Sequence, residues 1–330
     1  MKALLCKAFG PPESLTVEET PPPQPQAGEV LIDVHAAGVN FADTLKIEGR
    51  YQEKPPFPFS PGGEVAGVIA ALGPGVTRHR VGDRVMACTG RAGGFAEQTV
   101  ALEDLTFRLP DAMPFRQAAG FPVAYGTSWF ALVDRGHLQP GEVLLVHGAT
   151  GGAGLTAVEV GKQLGATVIG SGGSAAKLAV AQGFGADHVI DYSRDNIRDR
   201  VKELTGGRGA DVIYDAVGGD AFDQSLRCIA WNGRLLVIGF ASGRIPAAPA
   251  NIVMLKNCAV IGVNWPGHAT HDIAAYRRGF ETMLHWVAEG RLKPHVSMDF
   301  SLADSAQALR ALLDRRQTGK IVITVREEKT

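Results

Sequence analysis

Two rhythms of apolar and polar positions divide the chain. Over roughly the first 120 residues the apolar stretches are short, rich in β-branched residues and bounded by turn formers. Glu29-Val30-Leu31-Ile32-Asp33-Val34 reads as a strand, as does Gly63 to Ala71, which Gly73-Pro74-Gly75 closes. Gly82-Asp83-Arg84-Val85-Met86-Ala87 reads as a tight turn feeding another strand. Prolines at Pro21-Pro22-Pro23, Pro55-Pro56, Pro58 and Pro61 mark loops. From Val123 the short runs alternate with helix-length segments. The runs are Val143–Val146, Thr167–Ile169, His188–Ile190, Asp211–Tyr214, Leu235–Ile238 and Ala259–Val263. Six such strands, most followed by a helical segment, predict an α/β fold with a parallel, doubly wound sheet. After Trp265 come an amphipathic helix over Ile273–Glu289, a strand at Val296–Phe300, a helix over Ala303–Arg315 and a last strand at Ile321–Val325. That tail is not another βαβ unit, so it is expected to return to the N-terminal domain. The expected division is 1–123 for a β-rich domain, 124–264 for the doubly wound domain and 265–330 for the return segment.

Length and composition narrow the function. A chain of 330 residues is enough for about two domains. With 33 Lys and Arg against 34 Asp and Glu, the net charge of −1 gives no basic field for nucleic acid. No apolar run approaches the ~20 residues of a membrane span. Lys2 and Lys7 bracket a short apolar stretch, so no signal peptide is expected. Cys6, Cys88, Cys228 and Cys258 are scattered without a CxxC pair, which points to a reducing cytoplasm rather than a disulfide framework. Glycine is the outlier, with 41 residues, about 12% where ~7% is usual. The excess concentrates between Ala124 and Gly262.

Within that stretch, Val143-Leu144-Leu145-Val146-His147 runs into Gly148-Ala149-Thr150-Gly151-Gly152-Ala153-Gly154 and then a helix. Glycines allow close backbone approach to a pyrophosphate, and helix N–H groups favour its charge. Two GxGxxG-like registers fit, Ala149-x-Gly151-x-x-Gly154 and Gly152-x-Gly154-x-x-Ala157. An NAD site places Asp or Glu about 20 residues on, at the end of the second strand. Here Thr167 through Lys177 contains no acid; Ser171, Gly173 and Ser174 leave room and donors, and Lys177 adds a cation. NADPH is the expected cofactor.

With these features the chain resembles the medium-chain dehydrogenase/reductase superfamily and, within it, the zinc-independent NADPH:quinone oxidoreductases. The blocks that carry the resemblance are Gly38-Val39-Asn40-Phe41-Ala42-Asp43-Thr44, Pro61-Gly62-Gly63-Glu64-Val65-Ala66-Gly67, Gly82-Asp83-Arg84-Val85, Gly94-Phe95-Ala96-Glu97, Gly151-Gly152-Ala153-Gly154, Gly185-Ala186-Asp187-His188-Val189-Ile190-Asp191-Tyr192 and Gly218-Gly219-Asp220. The resemblance spans nearly the whole chain. It implies a GroES-like catalytic domain, a Rossmann domain and a homodimer, for which the Ala259–Val263 edge strand is the candidate contact. The zinc-dependent branch has a Cys where this chain has Asn40 and a His where it has Gly63, and its cysteine-rich lobe is missing between Met86 and Phe95. A catalytic zinc needs about three protein ligands, so no metal is expected. Cys258, His268 and His271 read as a core cysteine with surface or interface histidines.

The resemblance also assigns site residues. It places Asn40 and Thr127 on the nicotinamide side, the backbone of Gly151, Gly152 and Ala153 (with Gly154 of the same turn) at the pyrophosphate, and Ser174, Lys177 and Tyr192 near the adenosine 2′-phosphate. Phe240, Ala241 and Ser242 match a loop passing the nicotinamide. Asn40 can orient an acceptor oxygen by a hydrogen bond without titrating. Asp43 reads equally as an acid–base group and as a helix cap. Tyr51, in Ile47-Glu48-Gly49-Arg50-Tyr51, resembles the proton-donating tyrosine of medium-chain enoyl-thioester reductases. Three functions stand: reduction of a quinone or similar activated carbonyl, reduction of an enoyl thioester or 2-alkenal, and an NADPH-binding sensor with little catalysis. The first is preferred.

Overall fold

The computed structural model describes residues 1–328, which form two compact units, 1–123 with 280–328 and 124–279. The first begins with strands β1 (Lys2–Leu5), β2 (Thr16–Glu19) and the long β3 (Glu29–Val39), followed by helix α1 (Phe41–Ile47). Strands β4 (Glu64–Leu72), β5 (Arg84–Cys88), β6 (Gln98–Leu102) and β7 (Thr106–Arg108) and helix α2 (Phe115–Ala119) follow. Helix α3 (Pro122–Trp129) leads into the second unit. There β8 (Val143–His147), α4 (Gly152–Gln163), β9 (Thr167–Gly172), α5 (Ala175–Gly183), β10 (His188–Asp191), α6 (Ile197–Leu204), β11 (Ala210–Asp215), α7 (Gly219–Cys228), β12 (Ile229–Val237), α8 (Ala250–Lys256) and β13 (Ala259–Gly262) alternate strand with helix. Helices α9 (Trp265–His271) and α10 (Ile273–Ala288) precede the return, made of β14 (Val296–Ser301), α11 (Ser305–Leu313) and β15 (Lys320–Thr324).

In the second unit all strand pairs are parallel, in the order β10-β9-β8-β11-β12-β13. Interior parallel strands are covered on both faces and read as unbroken apolar runs, which is why Val143 to Val146 is buried without alternation. Leu145, Ile169, Ile190, Ile213 and Leu235 form one continuous core. The order reverses between β8 and β11, and ligands of such sheets bind at that switch point, off the strands' carboxyl ends. β13 lies at the open edge.

The first unit's main sheet runs β14-β15-β3-β4-β5-β7, with β6 also paired to β3. β15 lies antiparallel to β3, Ile321 opposite Val39 and Val322 opposite Gly38. The last strand therefore joins the core of Ile32, Val34, Val65, Ile69 and Phe95 through Ile321 and Ile323.

The return starts later than the expected residue 265. Trp265–Gly279 stays with the second unit because its aromatics pack there: His268 stacks on Phe130 at 4.1 Å, and the Trp265 ring lies against Gly126, where a Cβ would meet it at 2.7 Å. Of the two histidines expected at a surface or interface, His268 is buried within the chain and His271 is exposed. The first unit resumes at Phe280, which is 1% exposed and stacks on Phe107 at 4.5 Å. Phe280→Ala should cost about 3–5 kcal/mol, as for other buried Phe truncations. Urea unfolding followed by circular dichroism measures it, and a loss within experimental error would show that this ring does not anchor the return.

Candidate functional site

At the carboxyl end of β8 the chain turns through Gly148, at φ +66°. The Ala149 N–H donates to the Ser171 carbonyl at 3.0 Å, which ties the turn to β9. Gly151 caps α4, and the first intrahelical bond runs from Leu155 N–H to the Gly151 carbonyl. The N–H groups of Gly152, Ala153 and Gly154 precede that bond, at the positive end of the helix. A Cβ on Gly154 would lie 2.0 Å from the Gly148 carbonyl oxygen. This close helix–strand approach is the third glycine's task in a dinucleotide turn, so the structure selects the Ala149-x-Gly151-x-x-Gly154 register.

The end of β9 holds the next group. A Cβ on Gly173 would meet the Tyr192 ring at 2.9 Å, so that ring, 46% exposed, lies against the Gly173 backbone. Ser174 caps α5, and Lys177 sits half-buried in the helix's first turn. Ser171 departs from expectation. Its side chain is fully buried and its hydroxyl lies 2.7 Å from His147 Nδ1 rather than open to solvent. His147 Nε2 is 2.7 Å from the Ser225 hydroxyl, whose single proton goes to the Ala221 carbonyl. Ser225 must then accept, which fixes His147 as the Nε2–H tautomer and makes Ser171 the donor to Nδ1. Burial holds the His147 pKa below the usual histidine range, against the opposing pull of Asp215.

Phe240, Ala241 and Ser242 follow β12, with the N–H groups of Ala241 and Ser242 bonded to the carbonyls of Ala216 and Val217. Beneath them Gly218 and Gly219 turn with positive φ, and Asp215 Oδ1 accepts from the Val217 and Gly218 N–H groups at 2.9 and 2.8 Å. Thr127 is half-buried on α3. Apart from Thr127 on α3, the second unit's candidate residues lie at the carboxyl ends of β8, β9, β10 and β12, with the β11 turn beneath the last. Sequence reasoning missed His147 and Asp215. The Gly218-Gly219 pair after an apolar run was the available signal for the β11 turn.

The first unit carries a separate polar cluster. Glu64, on β4, is fully buried and Lys320, on β15, is 6% exposed, yet they form an ion pair of 2.7 Å. Lys320 Nζ also donates to Asn40 Oδ1 at 2.7 Å and to the Val39 carbonyl at 3.0 Å. Asn40 Nδ2 donates to Glu64 Oε1 at 2.8 Å, and Glu64 Oε2 accepts from the Val123 N–H at 2.7 Å. Gly38 makes room: a Cβ there would stand 2.3 Å from Glu64 Oε1. Asn40 also precedes α1, and Asp43 reaches back to the Asn40 N–H at 2.8 Å as a cap. The other Asp43 oxygen accepts from the Gly62 N–H at 3.2 Å. Both oxygens are engaged on a buried side chain, and burial pushes the carboxyl pKa up to about 6, against those two hydrogen bonds and Lys46 and Lys320. Tyr51 lies beyond α1, half-buried, with Lys46 Nζ 5.4 Å from its ring centroid. Burial raises its phenol pKa above the usual value.

Comparison with known proteins agrees with this architecture. Residues 26–111 match the alcohol dehydrogenase GroES-like domain, and residues 152–289 match the zinc-binding dehydrogenase family. A quinone oxidoreductase-like protein 2 homolog of Nematostella vectensis is 42% identical over 329 residues, 99% of this chain and 89% of that protein. The crystal structure of Pseudomonas syringae pv. tomato DC3000 quinone oxidoreductase superposes with a TM-score of 0.91 at 34% identity, covering 98% of this chain and 99% of that one. Escherichia coli quinone oxidoreductase, solved as a complex with NADPH, gives 0.91 at 30% identity, covering 98% and 100%. The second family's description names zinc. In this chain the Asn40 side chain is bonded to Glu64 and Lys320, and among the described residues no group of three or more His, Cys, Asp or Glu could hold a metal ion.

The Asp43 environment has a measurable consequence. Its pKa rises from 3.8 in the unfolded chain to about 6 in the folded one, so the folded chain holds this proton more tightly. Its stabilisation is complete below about pH 4 and is lost as pH rises through about 6, on the order of 3 kcal/mol. Asp43→Asn should flatten the stability profile across that window, as read from urea midpoints at stepped pH. Parallel profiles for the two proteins would refute the assignment.

Proposed function

The chain belongs to the quinone oxidoreductase-like members of the medium-chain dehydrogenase/reductase superfamily, and from that premise we propose that it reduces a quinone or similar activated carbonyl compound with NADPH. The observation that carries the cofactor choice is the absence of any carboxylate from Thr167 through Lys177, with Tyr192 lying against Gly173. A carboxylate there would repel a 2′-phosphate. The close packing of Gly154 on Gly148 suits the same group, because it presents backbone N–H groups with no side chain in front of them. In this reading the backbone of Gly151, Gly152, Ala153 and Gly154 holds the pyrophosphate, and Ser174, Lys177 and Tyr192 hold the 2′-phosphate. Thr127 and the Phe240–Ala241–Ser242 loop serve the nicotinamide end. Ser171 contributes through its carbonyl, which fixes the turn.

NADPH supplies the hydride. The chain must bind, orient and protonate. Asn40 Nδ2 donates a hydrogen bond to the acceptor oxygen, where negative charge develops. Tyr51, its phenol kept neutral by burial, supplies a proton. Asp43 acts as the cap that orders the Asn40 backbone, since both its oxygens are committed. The protonated, half-buried Tyr51 also favours a second reading, reduction of an enoyl thioester or 2-alkenal, in which an enolate must be protonated. Among the described residues no helix is long and apolar enough to cross a membrane. The buried thiols of Cys6, Cys228 and Cys258 suit a reducing cytoplasm. A homodimer through the open edge of β13 fits the exposed Trp231 on β12 and Met254 and Leu255 on α8; a monomer at micromolar concentration in sedimentation velocity would reject it.

NADPH should bind more tightly than NADH, and Lys177→Ala should weaken NADPH by about tenfold, the scale of one charge-assisted contact. Tighter NADH binding by the wild type would overturn the cofactor choice. Steady-state turnover with a quinone series, enones and crotonyl-CoA separates the activities. Tyr51→Phe should reduce enone turnover by about 100-fold and quinone turnover less. Tight NADPH binding with no acceptor-dependent oxidation would favour a sensor.

A further inference from the structure

The Lys320–Glu64–Asn40 cluster has an unusual hydrogen-bond economy. Lys320 has three N–H donors and all are used, on Val39, Asn40 and Glu64. Glu64 accepts from Lys320 and Asn40 on one oxygen and from Val123 on the other. Asn40 is the accessible member in front of two buried charges. One Nδ2 proton goes to Glu64, while the nearest acceptor for the other is the Gly38 carbonyl at 3.5 Å, the limit of a hydrogen bond. The most weakly held donor of the cluster is therefore this second Nδ2 proton, free to exchange its long contact with Gly38 for a better acceptor.

Its direction is not adjustable. Lys320 is donor-only and Glu64 acceptor-only. Turning the Asn40 amide over would set NH2 against an ammonium and a carbonyl against a carboxylate. The Lys320 ammonium also polarises the amide, because a cation on Oδ1 draws density from Nδ2 and strengthens its remaining N–H as a donor, while Glu64 fixes the orientation. A buried ion pair seldom stabilises a fold more than well-packed apolar residues of the same volume, so stability alone does not account for charge at positions 64 and 320.

We propose that Lys320 and Glu64 are positioning residues that lock and polarise the Asn40 amide, so that its second Nδ2 proton hydrogen-bonds the carbonyl oxygen of the acceptor. This rests on the reductase reading and extends it from Asn40 to the two charges behind it. The neutral pair Lys320→Met with Glu64→Gln leaves no buried charge unmatched. In the full chain it should keep the wild-type NADPH dissociation constant and lose about 100-fold in kcat with 1,4-benzoquinone, the scale of one oriented oxyanion donor. Asn40→Ala should cost a similar factor in the wild type and add little to the double variant, since all three act through one hydrogen bond. Full multiplication of the two losses, or an undiminished kcat in the double variant, overturns the proposal.

A measurement without turnover separates this inference from the reading beneath it, and holds even if the double variant does not fold. In ¹⁵N spectra of the NADP⁺-bound wild type, with the Asn40 amide assigned by its disappearance in Asn40→Ala, adding 1,4-benzoquinone should shift one Nδ2 proton and leave its Glu64-bonded twin in place. That shift without turnover sinks the reductase reading and keeps the donor. Turnover without the shift does the reverse.

Discussion

The first unit closes on a charge pair placed where water cannot reach it. Lys320 begins the last strand and Glu64 begins β4, and the register that sets Ile321 opposite Val39 also brings Lys320 beside Asn40. Sheet closure, burial of Glu64 and orientation of Asn40 are thus one event. Removing a single partner would strand a charge inside the unit, at several kcal/mol. Local sequence follows the same constraint. Gly38 is bare because the carboxylate occupies the space a side chain would take, and Val123 gives its N–H to the second oxygen.

The second unit is organised by backbone instead. Its candidate pyrophosphate donors are peptide N–H groups at the start of α4, and the side chains around that turn leave space or brace it from behind. His147 is the clearest brace. Sitting between Ser171 and Ser225, it joins the ends of β8 and β9 to α7, and burial lowers its pKa against the pull of Asp215.

Much of this was legible in the sequence, for stated reasons. Six apolar runs at βα spacing announced the parallel sheet, because its strands are covered on both faces. The glycine-rich turn and the missing acid after β9 were visible because they concern single positions at fixed offsets from a strand. Three things were not legible. The pairing of Lys320 with Glu64 spans 256 residues, and no local pattern marks a charge as buried. Ser171 looks like a ligand donor in a glycine–serine stretch, and its burial against His147 is visible only in three dimensions. Trp265–Gly279 looks like the start of the return, since helical periodicity names the apolar face but not the unit it packs on. Asp43 was legible only as two alternatives, and the buried, doubly bonded carboxylate favours the cap.

The discontinuity of the first unit bears on the order in which the chain is made. A ribosome releases residues from the N-terminus onward, and domains fold as they become complete. The second unit has all its residues once Gly279 emerges, whereas the first still lacks β15. During that interval the Ala36–Val39 stretch of β3 lacks its β15 partner and Glu64 has no ammonium beside it. The unit that begins first is finished last, and until β15 pairs, that stretch is an open strand edge.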